Sequence, residues 1–86
     1  MKASHILLDT LEQAVTLHEQ ANALNFGSLA QQHSKCPSKA RGGDLGDFMP
    51  GQMVKPFEDA TVATAVGEIS QPVQTQFGFH LIHRTG

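Results

Sequence analysis

Gly51-Gln52-Met53-Val54-Lys55-Pro56-Phe57-Glu58-Asp59-Ala60 is a turn that runs into a helix. Proline at a first helical position has its φ already set and gives up no donor the helix needs. Glu58 and Asp59 put negative charge on the first turn, where the helix dipole favours it. The stretch therefore predicts a helix that starts at Pro56, runs to Ala63 or Thr64 and ends before Gly67. Met53 then lies just before the helix and Phe57 just inside it, close enough to line one small pocket. Met and Phe at this spacing also suit an ordinary core.

On the N-terminal side, Met49-Pro50-Gly51 reads as a turn, and Asp44 to Phe48 as a short strand entered through Gly42-Gly43. Ser34 to Gly43 has loop composition, and Pro37 pushes the backbone of Cys36 toward an extended conformation. Residues 3 to 8 form a short aliphatic run ended by Asp9, which predicts a central strand with His5 and Leu7 on one face and Ile6 and Leu8 on the other. Thr10 with Gln13 is a capping-box pair, and Ala14, Leu17, Ala21 and Leu24 predict a helix over 11 to 24. Asn25 reads as the cap of a second helix whose inner stripe is Phe26, Leu29, Ala30 and His33; His18 and His33 read as helix-surface or stripe-edge residues.

On the C-terminal side, Ser70 to Gln74 predicts an edge strand, because Pro72 has no N–H to give a central ladder. Phe77 to Arg84 alternates, with His80 and Ile82 on one face and Phe79 and Leu81 on the other. His80 joins His5 if these strands are neighbours. The elements sum to an α+β domain, a four-stranded, mostly antiparallel sheet surrounded by three to four helices, with residues 1–86 as one domain.

Four blocks carry a resemblance to a known family: Ser4-His5-Ile6-Leu7-Leu8, Arg41-Gly42-Gly43-Asp44-Leu45-Gly46-Asp47-Phe48, the Gly51–Ala60 stretch, and Phe77-Gly78-Phe79-His80-Leu81-Ile82. In order and spacing they resemble the signature of the parvulin-type peptidyl-prolyl cis-trans isomerases over essentially the whole chain, which implies the element order β-α3-β-α-β2. The resemblance implies a domain that speeds rotation about X-Pro bonds and assists folding. It implies that Leu45, Met53 and Phe57 contact the substrate proline or its neighbour, with Phe77 at a position that varies among members. It also implies that His5, His80 and Cys36 form the polar, catalytic side. For Cys36 three roles stand open: nucleophilic thiolate, weak hydrogen-bond partner, or electrostatic element near the rotating carbonyl. The non-covalent roles are favoured, because some members carry aspartate there. The histidine pair has an alternative reading as two neutral imidazoles that satisfy each other and stabilise the sheet.

Phospho-specific members carry a basic cluster between the first strand and first helix. Here Leu8-Asp9-Thr10-Leu11-Glu12 fills that place, and no Lys or Arg occurs between Ala3 and Ser34. The expected substrates are unphosphorylated, proline-containing peptides and unfolded or flexible protein segments, with an apolar or small residue before the proline. A non-catalytic peptide-binding or holdase module is the rival reading, against which the full set His5, Cys36, Met53, Phe57 and His80 argues.

Composition narrows the rest. A chain of 86 residues holds one core and buries only about 60 to 65% of its unfolded surface. Six basic residues and a net charge of −2 give no footprint for a phosphate backbone, so nucleic acid is not expected, although Lys35, Lys39 and Arg41 cluster. Cys36 is the only cysteine, which rules out an internal disulfide. His33-x-x-Cys36 has chelate-like spacing but lacks a second cysteine pair, and His80 and His83 face opposite ways, so no metal is expected. Rotation about an amide needs no cofactor. With neither a signal-peptide pattern nor a membrane-length apolar segment, the chain reads as a soluble cytoplasmic monomer with no membrane contact, unless it is a domain of a larger exported chaperone.

Overall fold

Strand β1 (Lys2–Leu8) occupies the interior of the sheet in a computed structural model that describes residues 1–86. Its partners are β2 (Asp44–Asp47) on one side and β4 (Gly78–Arg84) on the other, and β3 (Val73–Thr75) pairs with the far edge of β4. The order is β2-β1-β4-β3 and every pair is antiparallel. Three helices cover it, α1 (Leu11–Gln20), α2 (Phe26–His33) and α3 (Lys55–Ala63), with a short 3-10 helix at Pro37–Arg41. This is the expected α+β class and element order, the loop before β2 supplying the fourth, tighter helix.

The period of two along β1 and β4 divides the interior into two layers. Ile6, Leu8 and Leu81 pack with Ala14 and Leu17 of α1 and Phe26 and Ala30 of α2. On the other face Ala3 and Ile82 pack with Phe48 and with Phe57 of α3. His5 and His80 lie on this second face, one register step apart, since Leu7 stands opposite His80 and His5 opposite Ile82. No helix is long and apolar enough to cross a membrane.

Local chemistry sets the helix ends. The Thr10–Gln13 capping box is formed in both directions. Helix α1 stops at Gln20, four residues short of the expected end at Leu24. Asn22 Oδ1 accepts the N–H groups of Leu24 and Asn25, and Asn25 Oδ1 accepts that of Asn22. These side chains offer the backbone partners that a helix would otherwise supply, and Leu24 is left 97% exposed. Asn25 does precede α2, but it caps backward onto Gln20 O rather than forward into its own helix. His33 is exposed instead of on the inner stripe, because the face that carries Phe26 and Ala30 continues four residues on at the buried Ser34.

Two further differences have backbone causes. Pro56 is the second residue of α3, since Val54 O already accepts the Glu58 N–H. Strand β3 begins at Val73 and not at Ser70. There Ser70 N–H donates to Ile82 O at 2.7 Å while Ser70 Oγ accepts from Ile82 N–H at 3.1 Å, so a hydroxyl replaces the ladder carbonyl just before Pro72.

Candidate active site

The second sheet face carries a chain of polar side chains set among aromatic rings. His5 Nδ1 and His80 Nδ1 are 3.0 Å apart, and His80 Nε2 lies 2.7 Å from Thr75 Oγ1. The Thr75 hydroxyl also accepts the Phe77 N–H at 3.1 Å. Both imidazoles are buried and stack at 5.2 Å between centroids. The Phe57 ring stands nearly perpendicular to both, with centroids 5.6 Å from His5 and 5.2 Å from His80.

Burial decides the charge of this pair. Desolvation, and then the neighbouring His80, lower the pKa of His5 to about 4. Desolvation lowers His80 to about 4 as well. At neutral pH both rings are uncharged, and an Nδ1–Nδ1 contact then needs one ring to donate and the other to accept. Two neutral arrangements satisfy it. With the proton on His5 Nδ1, His80 Nε2–H donates to Thr75 and the Thr75 hydroxyl proton is free to donate onward. With it on His80 Nδ1, the Thr75 hydroxyl donates to Nε2 and the free donor is His5 Nε2–H, which has no partner within the protein. The network can thus present a neutral donor at either end.

The loop after α2 is clipped to β1 where β2 no longer pairs with it. Ser34 Oγ accepts Leu7 N–H at 3.0 Å and Cys36 N–H at 3.3 Å, and Lys35 N–H donates to Leu7 O. Cys36 is held half-buried at the start of the 3-10 helix. The hydrogen bonds of the histidines run to each other and to Thr75, not to Cys36. The same loop closes on β1 at Gly43. Its φ of +83° suits glycine, and a Cβ there would lie 2.3 Å from His5 O.

Of the expected apolar residues, Leu45 and Met53 pack half-buried around the buried Phe57 and Phe48. Phe77 lies in the β3–β4 turn, one residue before the strand expected to begin with it, and is 61% exposed. The fold therefore brings His5, His80, Leu45, Met53 and Phe57 to one face, ties Cys36 to β1, and leaves Phe77 at the hairpin tip. Sequence reasoning missed Thr75 and Ser34. The signal for Thr75 lay in hairpin register: Val73 opposes His80, so Thr75 on the same face sits diagonal to it. Ser34 was marked only by its place four residues beyond Ala30.

Residues 5–86 match the family profile described as the rotamase, PPIC-type PPIASE domain. The chain is 50% identical over 80 residues to the peptidyl-prolyl cis-trans isomerase Pin1 of Digitalis lanata, covering 91% of this chain and 68% of that protein. It is 44% identical over 87 residues to foldase protein PrsA 4 of Bacillus cereus, covering 99% of this chain and 31% of the foldase. Among solved structures, the peptidylprolyl isomerase PrsA of Bacillus cereus superposes with a TM-score of 0.91 at 43% identity, over all of this chain and 34% of that one. NmPin, the parvulin of Nitrosopumilus maritimus, gives 0.85 at 42% identity and is covered over 95% of its length. A Campylobacter jejuni chain described among SurA-like chaperones gives 0.94 at 37%, with 37% of its length covered. The chain thus spans about a third of the foldases and chaperones it matches and nearly all of NmPin.

Proposed function

The chain belongs to the family of PPIC-type, parvulin peptidyl-prolyl isomerase domains, and from that premise we propose that it catalyses cis-trans rotation about X-Pro bonds in unphosphorylated peptides and unfolded protein segments. The observation that carries the reading is one sheet face on which a neutral Thr75–His80–His5 chain stands against the apolar group Leu45, Met53 and Phe57. Rotation crosses a barrier of about 18 to 20 kcal/mol because it breaks amide resonance. Uncatalysed exchange takes tens to hundreds of seconds. Raising it to roughly 10 to 1000 per second needs only about 4 to 7 kcal/mol, within reach of binding and fixed dipoles.

In this reading the proline ring sits against Met53 and Phe57, with Leu45 beside it and Phe77 at the rim. Holding the ring while the carbonyl turns favours the twisted amide, whose nitrogen lone pair is no longer shared with the carbonyl. Uncharged imidazoles leave that lone pair and the moving oxygen free of a fixed ionic contact that would favour one planar isomer. His5, His80 and Cys36 serve as the polar wall, with Cys36 acting without covalent attack. Cys36→Asp is accordingly expected to keep activity within about tenfold of wild type, equivalent to about 1.4 kcal/mol of barrier. Complete loss in a variant with an unchanged NMR fingerprint would assign the thiol a covalent role.

The substrate class follows from charge. Lys35 pairs with Asp9 of the β1–α1 connection, its Nζ 3.5 Å from Oδ2, so its charge is already met by a carboxylate there. A panel of X-Pro peptides measured by two-dimensional NMR exchange is expected to turn over fastest with apolar or small X. Faster turnover of a phosphorylated Ser-Pro peptide than of its plain counterpart would refute the substrate class. Shift changes at Met53 and Phe57 without acceleration would make the domain a peptide-binding or holdase module instead. The chemistry uses no disulfide, metal or cofactor. It therefore suits a monomer in the cytoplasm and equally a domain carried within a larger exported chaperone.

A further inference from the structure

The turn that carries Met53 and the helix that carries Phe57 are joined by a side-chain bridge that the reaction itself does not use. Glu58 Oε1 accepts the N–H of Gly51, seven residues back, from the first turn of α3. The turn is closed on itself as well: Gln52 Oε1 accepts Met49 N–H at 2.7 Å, and Gln52 N–H donates to Met49 O at 3.2 Å. Gly51 has a φ of +91° with open space where a Cβ would lie, so glycine is kept there by backbone conformation, and that conformation aims its N–H at the helix. Without the bridge, residues 49–52 are an exposed turn, Met49 being 67% exposed, with little else to seat them.

We propose that Glu58 is a positioning residue that sets the width of the proline pocket by fastening the Gly51 turn, and hence Met53, to the helix that bears Phe57. This rests on the reading that Met53 and Phe57 hold the proline ring. Glu58 touches no reacting atom, so its removal acts on substrate capture rather than on rotation. A turn that must be ordered at each encounter weakens binding of planar substrate and twisted amide alike, which raises KM and leaves kcat in place.

The test compares wild type, Glu58→Ala and Glu58→Gln, reading KM and kcat for a short unphosphorylated Leu-Pro peptide and the Gly51 amide resonance on the same samples. Glu58→Ala is expected to raise KM about three- to tenfold, the worth of one exposed hydrogen bond. It is also expected to change kcat less than about twofold and to move the Gly51 amide while speeding its exchange. Glu58→Gln keeps an oxygen that can accept the same bond and is expected to restore KM, which a purely ionic role for Glu58 would not allow. A Gly51 amide unmoved by Glu58→Ala, or a freed amide with an unchanged KM, overturns the proposal. Should Glu58→Ala fail to fold, Glu58→Asp, one methylene too short to reach, takes its place with the same readouts. If wild type itself gives no acceleration, the isomerase reading fails first; peptide Kd from chemical-shift titration then replaces KM and the Glu58 bridge is judged on it.

Discussion

Phe57→Ala is expected to lower the stability of the domain by about 3 to 5 kcal/mol, the usual cost of emptying a buried phenylalanine site. Phe57 is 3% exposed, belongs to the apolar layer with Ala3, Phe48 and Ile82, and packs nearly perpendicular to both histidine rings. Each kcal/mol moves the melting temperature of a domain this size by roughly 4 to 8 °C, so the midpoint should fall by about 12 to 40 °C in a thermal scan. Activity measured well below the new midpoint should fall at least about tenfold if, as proposed, the same ring holds the substrate proline. The two effects separate in Met53→Ala: Met53 is only half-buried, so that variant should lose activity with a smaller stability change. Full activity in folded Phe57→Ala would remove the ring from the site and leave it as core alone.

Acid should unfold the protein through the histidine pair. In the unfolded chain each imidazole takes up a proton near pH 6.5, whereas in the fold burial holds both neutral down to about 4. Between those values the unfolded state binds more protons, so stability falls as pH drops from about 6.5 to 4, while these groups contribute no slope above about 7. Each pKa unit is worth about 1.4 kcal/mol, which puts the upper bound near 3 kcal/mol per ring. Part of the His5 shift comes from His80, so the two contributions do not simply add, leaving several kcal/mol for the pair. Urea midpoints across this range measure it, and His80→Phe, which has one titrating ring fewer, should lose roughly half the slope. A flat profile from pH 7 to 4 would mean that the rings are wet or already charged in the fold.

The two faces of β1 and β4 were legible because a strand alternates with a period of two, which no packing detail can alter without turning every side chain over. That separated Ile6 and Leu8 from His5 within β1, and Leu81 from His80 and Ile82 within β4; the pairing of the two strands then put His5 and His80 on one face. Pro56 and the Thr10–Gln13 box fixed helix starts to within a residue, since caps are made by neighbours in the chain. Helix ends were harder: the Asn22–Asn25 exchange that stops α1 competes with helix by a margin that hydrophobic spacing does not register.

What this sequence determined by itself is therefore the class of fold, the face of β1 or β4 on which each side chain lies, and the residue types available to the site. Only tertiary structure decided that Thr75 completes the histidine chain, that Ser34 fastens the Cys36 loop to Leu7, and that Glu58 reaches back to Gly51. The physical reason is range. Alternation, capping and turn preference act over a few residues and leave a pattern in composition. A hydrogen bond between His5 and His80, separated by 75 positions, depends on strand register and on the water excluded around it, and neither exists until the layers have packed.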